Sequence, residues 1–408
     1  MEDPKERLTK CISTAELERR WKAVREMMRD RKIDYLVMQN SEEYLGGTIR
    51  WFTDLTARWQ FPMSVIFPVD DEMTTINCAG DRLTEQSPSG KVQPHWGQPP
   101  WAVRGIKNTL GAPYFLTIPY TNTMDAELAV EVLKEKKKPT VGLVETAFMP
   151  VPFYQYLVKN LSDAKFVDAT EWVDEIKVIK SPEEIELIKG TAALQDKAIE
   201  HLRKTIKPGM RDFEVYAEIK YSTIRNGSER QLVQVGSGPP ETPVRFFVRH
   251  FQNRMVREGD KVAVLIETNG PGGYYTEIMK CFMVGRKPPQ ALQDAHEVAM
   301  EVQKMNVDRL KPGADPKELW NMTNDFLKSK GYEPNLRLYS HGQGLSLVER
   351  PLIRYNETWK IKAGMNITVH PMVFNKTVWA TVCENWMVGR DGAGECLHKS
   401  PQEIVVIE

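Results

Sequence analysis

Paired cysteines are missing from this 408-residue chain. The five it has, Cys11, Cys78, Cys281, Cys383 and Cys396, are odd in number, scattered and without a C-x-x-C pair. That pattern argues against a disulfide framework and suits a reducing compartment. An excess of charge is missing too: 55 Lys plus Arg balance 55 Asp plus Glu, with a pI near 7.1. Neither nucleic acid nor an anionic membrane surface is therefore an expected partner. Long apolar runs are absent, and stretches such as residues 262–266 are strand-sized, far below a membrane span. The first residues, Met-Glu-Asp-Pro-Lys-Glu-Arg-Leu, lack the basic-then-apolar order of a signal peptide. A soluble cytoplasmic protein is the expectation.

What is present is ordinary globular composition, 41% hydrophobic and 27% charged, in a length that suits two domains. The first third alternates helix-like and strand-like segments, which predicts a mixed α/β sheet with flanking helices. Ser13 is placed to cap a helix over residues 16–28, where Leu17, Trp21, Val24 and Met27 recur at helical steps. Strands are expected at residues 35–38, 63–67 and 140–144. A boundary falls at residue 178, dividing the chain into domains 1–177 and 178–408. Just after it, Ser181, Pro182 and Glu184 have the spacing of an N-cap, a first-turn proline and a capping box. Further helices are predicted over 211–226, 289–308 and 316–330, two of them following a Lys-Pro-Gly turn, which hints at an internal duplication. Strands are expected at 261–267, 274–284, 366–373 and 378–388.

The second domain carries five residues suited to a metal: Glu267, Glu277, His341, His370 and Glu384. Glu267 ends an apolar strand and lies ten residues before Glu277, with Gly-Pro-Gly-Gly between them. Such a turn can fold two strands back so that both carboxylates face one point. His341 opens His-Gly-Gln-Gly, where two glycines permit a close backbone approach. His370 and Glu384 each follow an apolar strand-like stretch, where a charged group either points outward or meets a cation inward. Taken one at a time, each Glu reads better as a solvated strand residue and each His as a structural imidazole. His95, His201, His296 and His398 keep that second reading.

Several segments together resemble the "pita-bread" family of creatinase, prolidase, aminopeptidase P and methionine aminopeptidase. They are Ile179-Lys-Ser-Pro-Glu-Glu-Ile185, Gly259-Asp260 before a strand, Gly273-Tyr274 before Glu277, His341-Gly-Gln-Gly, Gly364-Met365 leading to His370-Pro371, and Glu384. The resemblance implies a creatinase-type N-terminal α/β domain followed by a pita-bread catalytic domain, and a homodimer. Metallopeptidases of the family hold two metals with two Asp, one His and two Glu. Matched position by position, the second Asp falls on Glu277, the His on His341 and the last Glu on Glu384. The first Asp falls on Ile266, with Glu267 one residue late, and the first Glu falls on His370. A second, substrate-facing His falls on Val348, and the Arg after the second Asp on Lys280.

These departures leave a two-His, two-carboxylate set suited to about one Zn, Fe or Mn ion per chain, with Glu267 assisting. The loss at Val348 argues against ordinary Xaa-Pro peptidase activity. The ten-residue acidic interval also resembles the dimethylsulfoniopropionate-lyase branch. The expected reaction is therefore hydrolysis of a C–N bond or an elimination on a small polar or zwitterionic molecule. His250, placed like the general base of creatinase, is expected to move the proton. Altered Xaa-Pro dipeptidase, metal-free creatinase-like hydrolase and non-catalytic binding module are the alternatives. Lys280, Glu349 and Arg350 are candidate substrate contacts. In the aromatic-rich N-terminal run, Arg58, Trp59 and Phe61 either pack the core or reach the partner subunit's pocket.

Overall fold

The computed structural model describes residues 10–41, 44–56, 61–78, 102–390 and 394–408. The chain divides into two compact units, formed essentially by Cys11–Lys177 and by Val178–Glu408. In the first unit the elements run α1 (Thr14–Asp30), β1 (Tyr35–Asn40), α2 (Thr48–Thr53), β2 (Met63–Pro68), β3 (Met73–Cys78) and β4 (Ile106–Ala112). They continue as α3 (Met124–Leu133), β5 (Thr140–Val144), α4 (Val151–Asn160), β6 (Lys165–Asp168) and α5 (Thr170–Lys177). Six strands form a mixed sheet in the order β4-β3-β2-β1-β5-β6, the mixed α/β architecture expected. The Ser13 side chain does accept the Glu16 N–H, and Leu17, Trp21, Val24 and Met28 are buried along α1. The run Arg50-Trp51-Phe52 folds as part of α2, with both aromatic rings in the interior. Phe61 is half-buried and packs edge-on against the exposed Phe115, while Arg58 and Trp59 lie outside the described residues.

The second unit begins with α6 (Pro182–Thr205) and α7 (Asp212–Arg225), followed by β7 (Gln231–Gly238), β8 (Lys261–Asn269) and β9 (Tyr275–Val284). Ser181 and Glu184 close the capping box as their spacing predicts, satisfying two backbone donors that a helix start leaves open. Next come α8 (Gln290–Val307), α9 (Pro316–Ser329), β10 (Ser340–Gly342), β11 (Glu349–Leu352) and β12 (Asn366–Val369). The chain closes with β13 (Met372–Phe374), β14 (Trp379–Thr381), β15 (Glu384–Met387), β16 (Glu395–Cys396) and β17 (Val405–Ile407). The two Lys-Pro-Gly turns before α7 and α9 behave alike. Gly209 and Gly313 have φ of 91° and 89°, and the Gly209 N–H bonds Val256 O while that of Gly313 bonds Ile361 O.

Each of the two long strands predicted near the C-terminus is broken in two. Pro371 has no N–H to give a ladder, so β12 ends before it and β13 pairs with β14 in a separate two-stranded sheet. The principal sheets run β17-β9-β8-β7 and β11-β10-β12-β15-β16.

The β8–β9 hairpin settles which acidic residue faces the interior of the site. Its ladder sets Glu267 directly opposite Glu277, and Ile266 opposite Ile278. Ile266, Ile278, Val264 and Phe282 pack with Ala198, Ile199 and Leu202 of α6. Side chains alternate across a strand, so Glu267 and Glu277 share the other face with Leu265 and Met279. Glu267 is therefore the site-facing residue, although it lies one place later than the family's usual interval.

The glycines of His341-Gly-Gln-Gly are needed for space. A Cβ on Gly342 would stand 2.5 Å from Arg350 O, and one on Gly344 would stand 2.4 Å from Glu349 Oε1. Glu349 is held there by a buried ion pair, Lys180 Nζ to Glu349 Oε2 at 2.6 Å. Removing one partner of such a pair strands the other charge in the interior, at a cost of about 3 kcal/mol. We predict that Glu349→Leu lowers the free energy of unfolding by that amount in urea titration. The double variant Lys180→Met/Glu349→Leu should recover most of it. Equal stabilities for wild type and Glu349→Leu would show that the pair is not a structural lock.

Candidate metal centre

Three side chains converge from three strand segments. Glu277 stands on β9, His341 on β10 and His370 immediately after β12, and their ligand atoms all lie within 4.8 Å of one another. Both His341 Nε2 and His370 Nε2 approach Glu277 Oε2, at 3.7 and 3.9 Å. Two ligands each about 2.1 Å from a tetrahedral ion stand about 3.4 Å apart, so the spacing suits one shared cation. The backbone enforces it. β10 pairs with β12, and the His370 N–H bonds Tyr339 O at 2.8 Å, which fixes the two imidazoles side by side at 5.3 Å between ring centres.

His341 Nδ1 lies 2.9 Å from Gly342 O, a carbonyl that only accepts, so the ring proton sits on Nδ1. Nε2 is left with its lone pair toward Glu277, the arrangement a metal-binding imidazole adopts. His370 is 4% exposed, and neither of its ring nitrogens has a hydrogen-bond partner among the described residues. A buried imidazole without partners is costly in a closed interior and is relieved by a metal ion. The residues present therefore fit a divalent cation.

The electrostatics agree. Burial pushes the Glu277 carboxyl up to about 8. Glu267 is raised well above the carboxylate range by burial and by the charge of Glu277 across the ladder. Burial lowers His341 to about 4, and burial with the neighbouring His341 drives His370 well below its ordinary value. Two carboxylates and two neutral imidazoles are thus enclosed without a buried cation of their own, a combination that a bound divalent ion balances.

Glu384 stands apart from this cluster. Its Oε1 is bonded by Lys280 Nζ at 3.1 Å, and its Oε2 by Gln303 and Gln402, each at 2.7 Å. In the ligand role expected from sequence, Glu384 is replaced by a salt bridge, because successive strand residues face opposite ways and Cys383 points to the site instead. Cys383 Sγ lies 3.3 Å from Thr368 Oγ1 and 3.5 Å from Glu277 O. Glu267 is beside the cluster but outside its closest set, held by Gln343 Nε2 at 2.7 Å.

The expected substrate contacts have protein partners. Lys280 also bonds Pro401 O at 3.0 Å, Glu349 is locked by Lys180, and Arg350 pairs with Glu357 and lies 4.1 Å over Trp359. His250 lies exposed on the turn Arg249–Phe251 with its ring against Phe251. No hydrogen bond joins it to the cluster among the described residues.

Sequence reasoning missed the frame behind the ligands. Asn385 Oδ1 accepts the Glu277 N–H at 2.7 Å, and Asn385 Nδ2 donates to Gln343 Oε1 and Asn366 Oδ1. The Asn385 N–H bonds His398 Nδ1, whose Nε2 donates to Gln195 Oε1 at 2.8 Å. Gln195 in turn donates to Ile266 O, Thr268 Oγ1 and Thr276 O. His398 keeps its structural reading as a fully wired member of this network. The adjacency of Asn385 to Glu384, and Gln343 inside the glycine motif, were the available signals.

Residues 186–394 match metallopeptidase family M24, and residues 20–179 match the creatinase/prolidase N-terminal domain. The first match spans just over half of the chain, and the chain belongs to metallopeptidase family M24, whose enzymes use divalent metals. It is 28% identical over 253 residues to a Xaa-Pro dipeptidase of Pyrococcus furiosus, covering 60% of this chain and 70% of that one. An uncharacterized hydrolase/peptidase of Sinorhizobium fredii is 24% identical over 405 residues, covering 96% of this chain and 97% of the relative. A crystal structure of prolidase from Thermococcus sibiricus superposes with a TM-score of 0.76 at 17% identity, over 98% of this chain and all of the other, which extends the shared fold to both units. Among the described residues, no helix is long and apolar enough to cross a membrane.

A pH dependence follows for the metal-free protein. Between pH 6.5 and 8 the folded imidazoles are neutral and the unfolded ones lose their remaining protons, a smaller and opposite contribution, so the carboxylates govern the window up to about 8. There the folded chain keeps a proton on Glu277 that the unfolded chain has released, so stability falls as pH rises, by on the order of 2 kcal/mol. Denaturation in chelator at pH 6.5 and 8 should show this fall, and Glu277→Gln should reduce it, leaving only the share of Glu267, whose carboxyl burial also holds up. Added divalent metal should remove the fall in the wild type. A chelated wild type as stable at pH 8 as at 6.5, relative to Glu277→Gln, would contradict the assignment.

Proposed function

We propose that this chain is a metal-dependent hydrolase of C–N bonds in small peptide-like substrates, built around one divalent ion. Glu277, His341 and His370 would hold the ion, the combination of two imidazoles and one carboxylate common to mononuclear hydrolytic zinc sites and to non-haem iron sites. The observation that carries the reading is His370: a buried imidazole with both nitrogens unpartnered, 3.9 Å from a carboxylate oxygen that a second imidazole also faces.

When bound, the ion supplies Lewis acidity and lowers the pKa of water. Glu267 is the carboxylate left to take and return a proton, because it faces the cluster and, among the described residues, a single amide, Gln343, bonds it. The exposed His250 is then a peripheral group. Leu265, Met279 and Phe246 form an apolar wall on the same face and favour a substrate with an apolar side. The kinship with enzymes named Xaa-Pro dipeptidase supports hydrolysis over elimination. The pairing of Glu384 with Lys280 supports one ion over two.

Elemental analysis of protein purified without chelator should give about one divalent ion per chain, falling to near zero in His370→Ala. Glu384→Gln should retain the ion. Two ions per chain, or retention in His370→Ala, would refute the mononuclear set. With the ion loaded, Glu267→Gln should lower kcat on acyl-amino acid or dipeptide substrates by about 10²-fold or more while metal content is kept. Release of an unsaturated product without amide cleavage would instead identify a lyase.

A further inference from the structure

The second unit carries a concavity that the proposed chemistry does not use. It lies between α6, α7 and the segment 399–401, has a volume of about 700 Å³, and shares no lining residue with the metal centre. Small-molecule sites fall between about 300 and 1,000 Å³, so the volume suits one small ligand. Its walls are held in place. The Asp196 carboxylate accepts the N–H groups of Lys399 and Ser400, at 2.7 and 3.0 Å, which clips that segment to α6. Pro401 O accepts from Lys280 Nζ at 3.0 Å, so the segment is fastened from a second side. On α7, Arg225 Nη1 donates to the Tyr221 hydroxyl at 2.7 Å, and the guanidinium lies 5.8 Å from the centre of that ring.

The charge of the lining is one-sided. Lys197, Lys204, Arg225 and Lys399 are exposed there, and none has a carboxylate partner among the described residues. The acidic side chains of the lining are already engaged, Asp196 by its two backbone N–H groups and Glu200 by Arg203 at 3.5 Å. His201 is held by Glu218 at 2.6 Å. In a chain whose 55 basic and 55 acidic residues balance, four such cations around one concavity make a local field that attracts an anion.

A guanidinium fork and several ammonium groups together match the three acceptor oxygens of a phosphate. Tyr221 is 53% exposed on the same wall, with its ring 5.9 Å from that of His201, and offers a face on which a planar ring can stack. The limited volume and the balanced charge of the whole chain favour a small molecule over a nucleic-acid strand. We infer that this groove binds a phosphate monoester carrying a planar ring, a nucleotide-like ligand, at a site separate from the metal centre.

Calorimetric titration of the full chain with AMP, ribose 5-phosphate and adenosine, in about 0.15 M salt, tests this. AMP should bind at least about tenfold more tightly than either of the others, a margin typical of one charge-assisted pair or one stacked base. The double variant Lys204→Gln/Arg225→Gln should weaken AMP at least about tenfold. Tyr221→Leu should bring AMP to the level of ribose 5-phosphate, and metal content should be unchanged in both variants. No AMP binding in the wild type, or ribose 5-phosphate as tight as AMP, would overturn the inference. An AMP affinity undiminished in the double variant would overturn it too, and would place the phosphate at the metal centre instead. The groove shares no residue with that centre, so the result stands whether or not the ion is loaded.

Discussion

The arrangement of the second unit turns on one electrostatic constraint: two carboxylates are enclosed face to face with two imidazoles too deeply buried to carry charge. Glu267 and Glu277 sit opposite each other in one ladder, where like charges repel and where desolvation already disfavours ionisation. Protonation relieves the strain in part, and a divalent cation relieves it fully. The imidazoles point the same way. His341 has its proton fixed on the far nitrogen, and His370 has no proton partner at all among the described residues. A cluster left in this state costs stability. That is the expected signature of a site shaped for a ligand.

Around this cluster the fold is rigid. Asn385, Gln343, His398 and Gln195 connect the backbone of Glu277 to helix α6 through buried hydrogen bonds, each donor matched to an acceptor. Such a frame holds ligand atoms within the narrow tolerances that a metal requires. Glu384 is drawn into a different task, pinning Lys280 together with Gln303 and Gln402. The same pleat that turns Glu384 away turns Cys383 inward, so a thiol stands where a further carboxylate was expected.

Much of this was legible in the sequence, for physical reasons that can be named. Ser181-Pro-Glu-Glu specified a helix start because capping is local, and the continuous apolar run of β8 before a Gly-Pro-Gly-Gly turn specified a buried strand and its return because those signals are local too. His341 and His370 were recognisable from their glycine and proline neighbours. The facing of Glu384 was not, since a one-residue change of parity leaves composition and spacing nearly untouched. The pairing of Glu349 with Lys180 and the wiring of His398 to Gln195 join residues 169 and 203 positions apart, beyond the reach of any local pattern.

The central claim is that one ion is held by two imidazoles and the Glu277 carboxylate while Glu384 stays with Lys280. A crystal structure of the metal-loaded protein, with anomalous scattering at the metal edge, measures this directly. The account predicts a single anomalous peak bonded to His341 Nε2, His370 and Glu277, with the Lys280–Glu384 bridge intact. Two peaks bridged by Glu384, or one peak remote from His370, would contradict it.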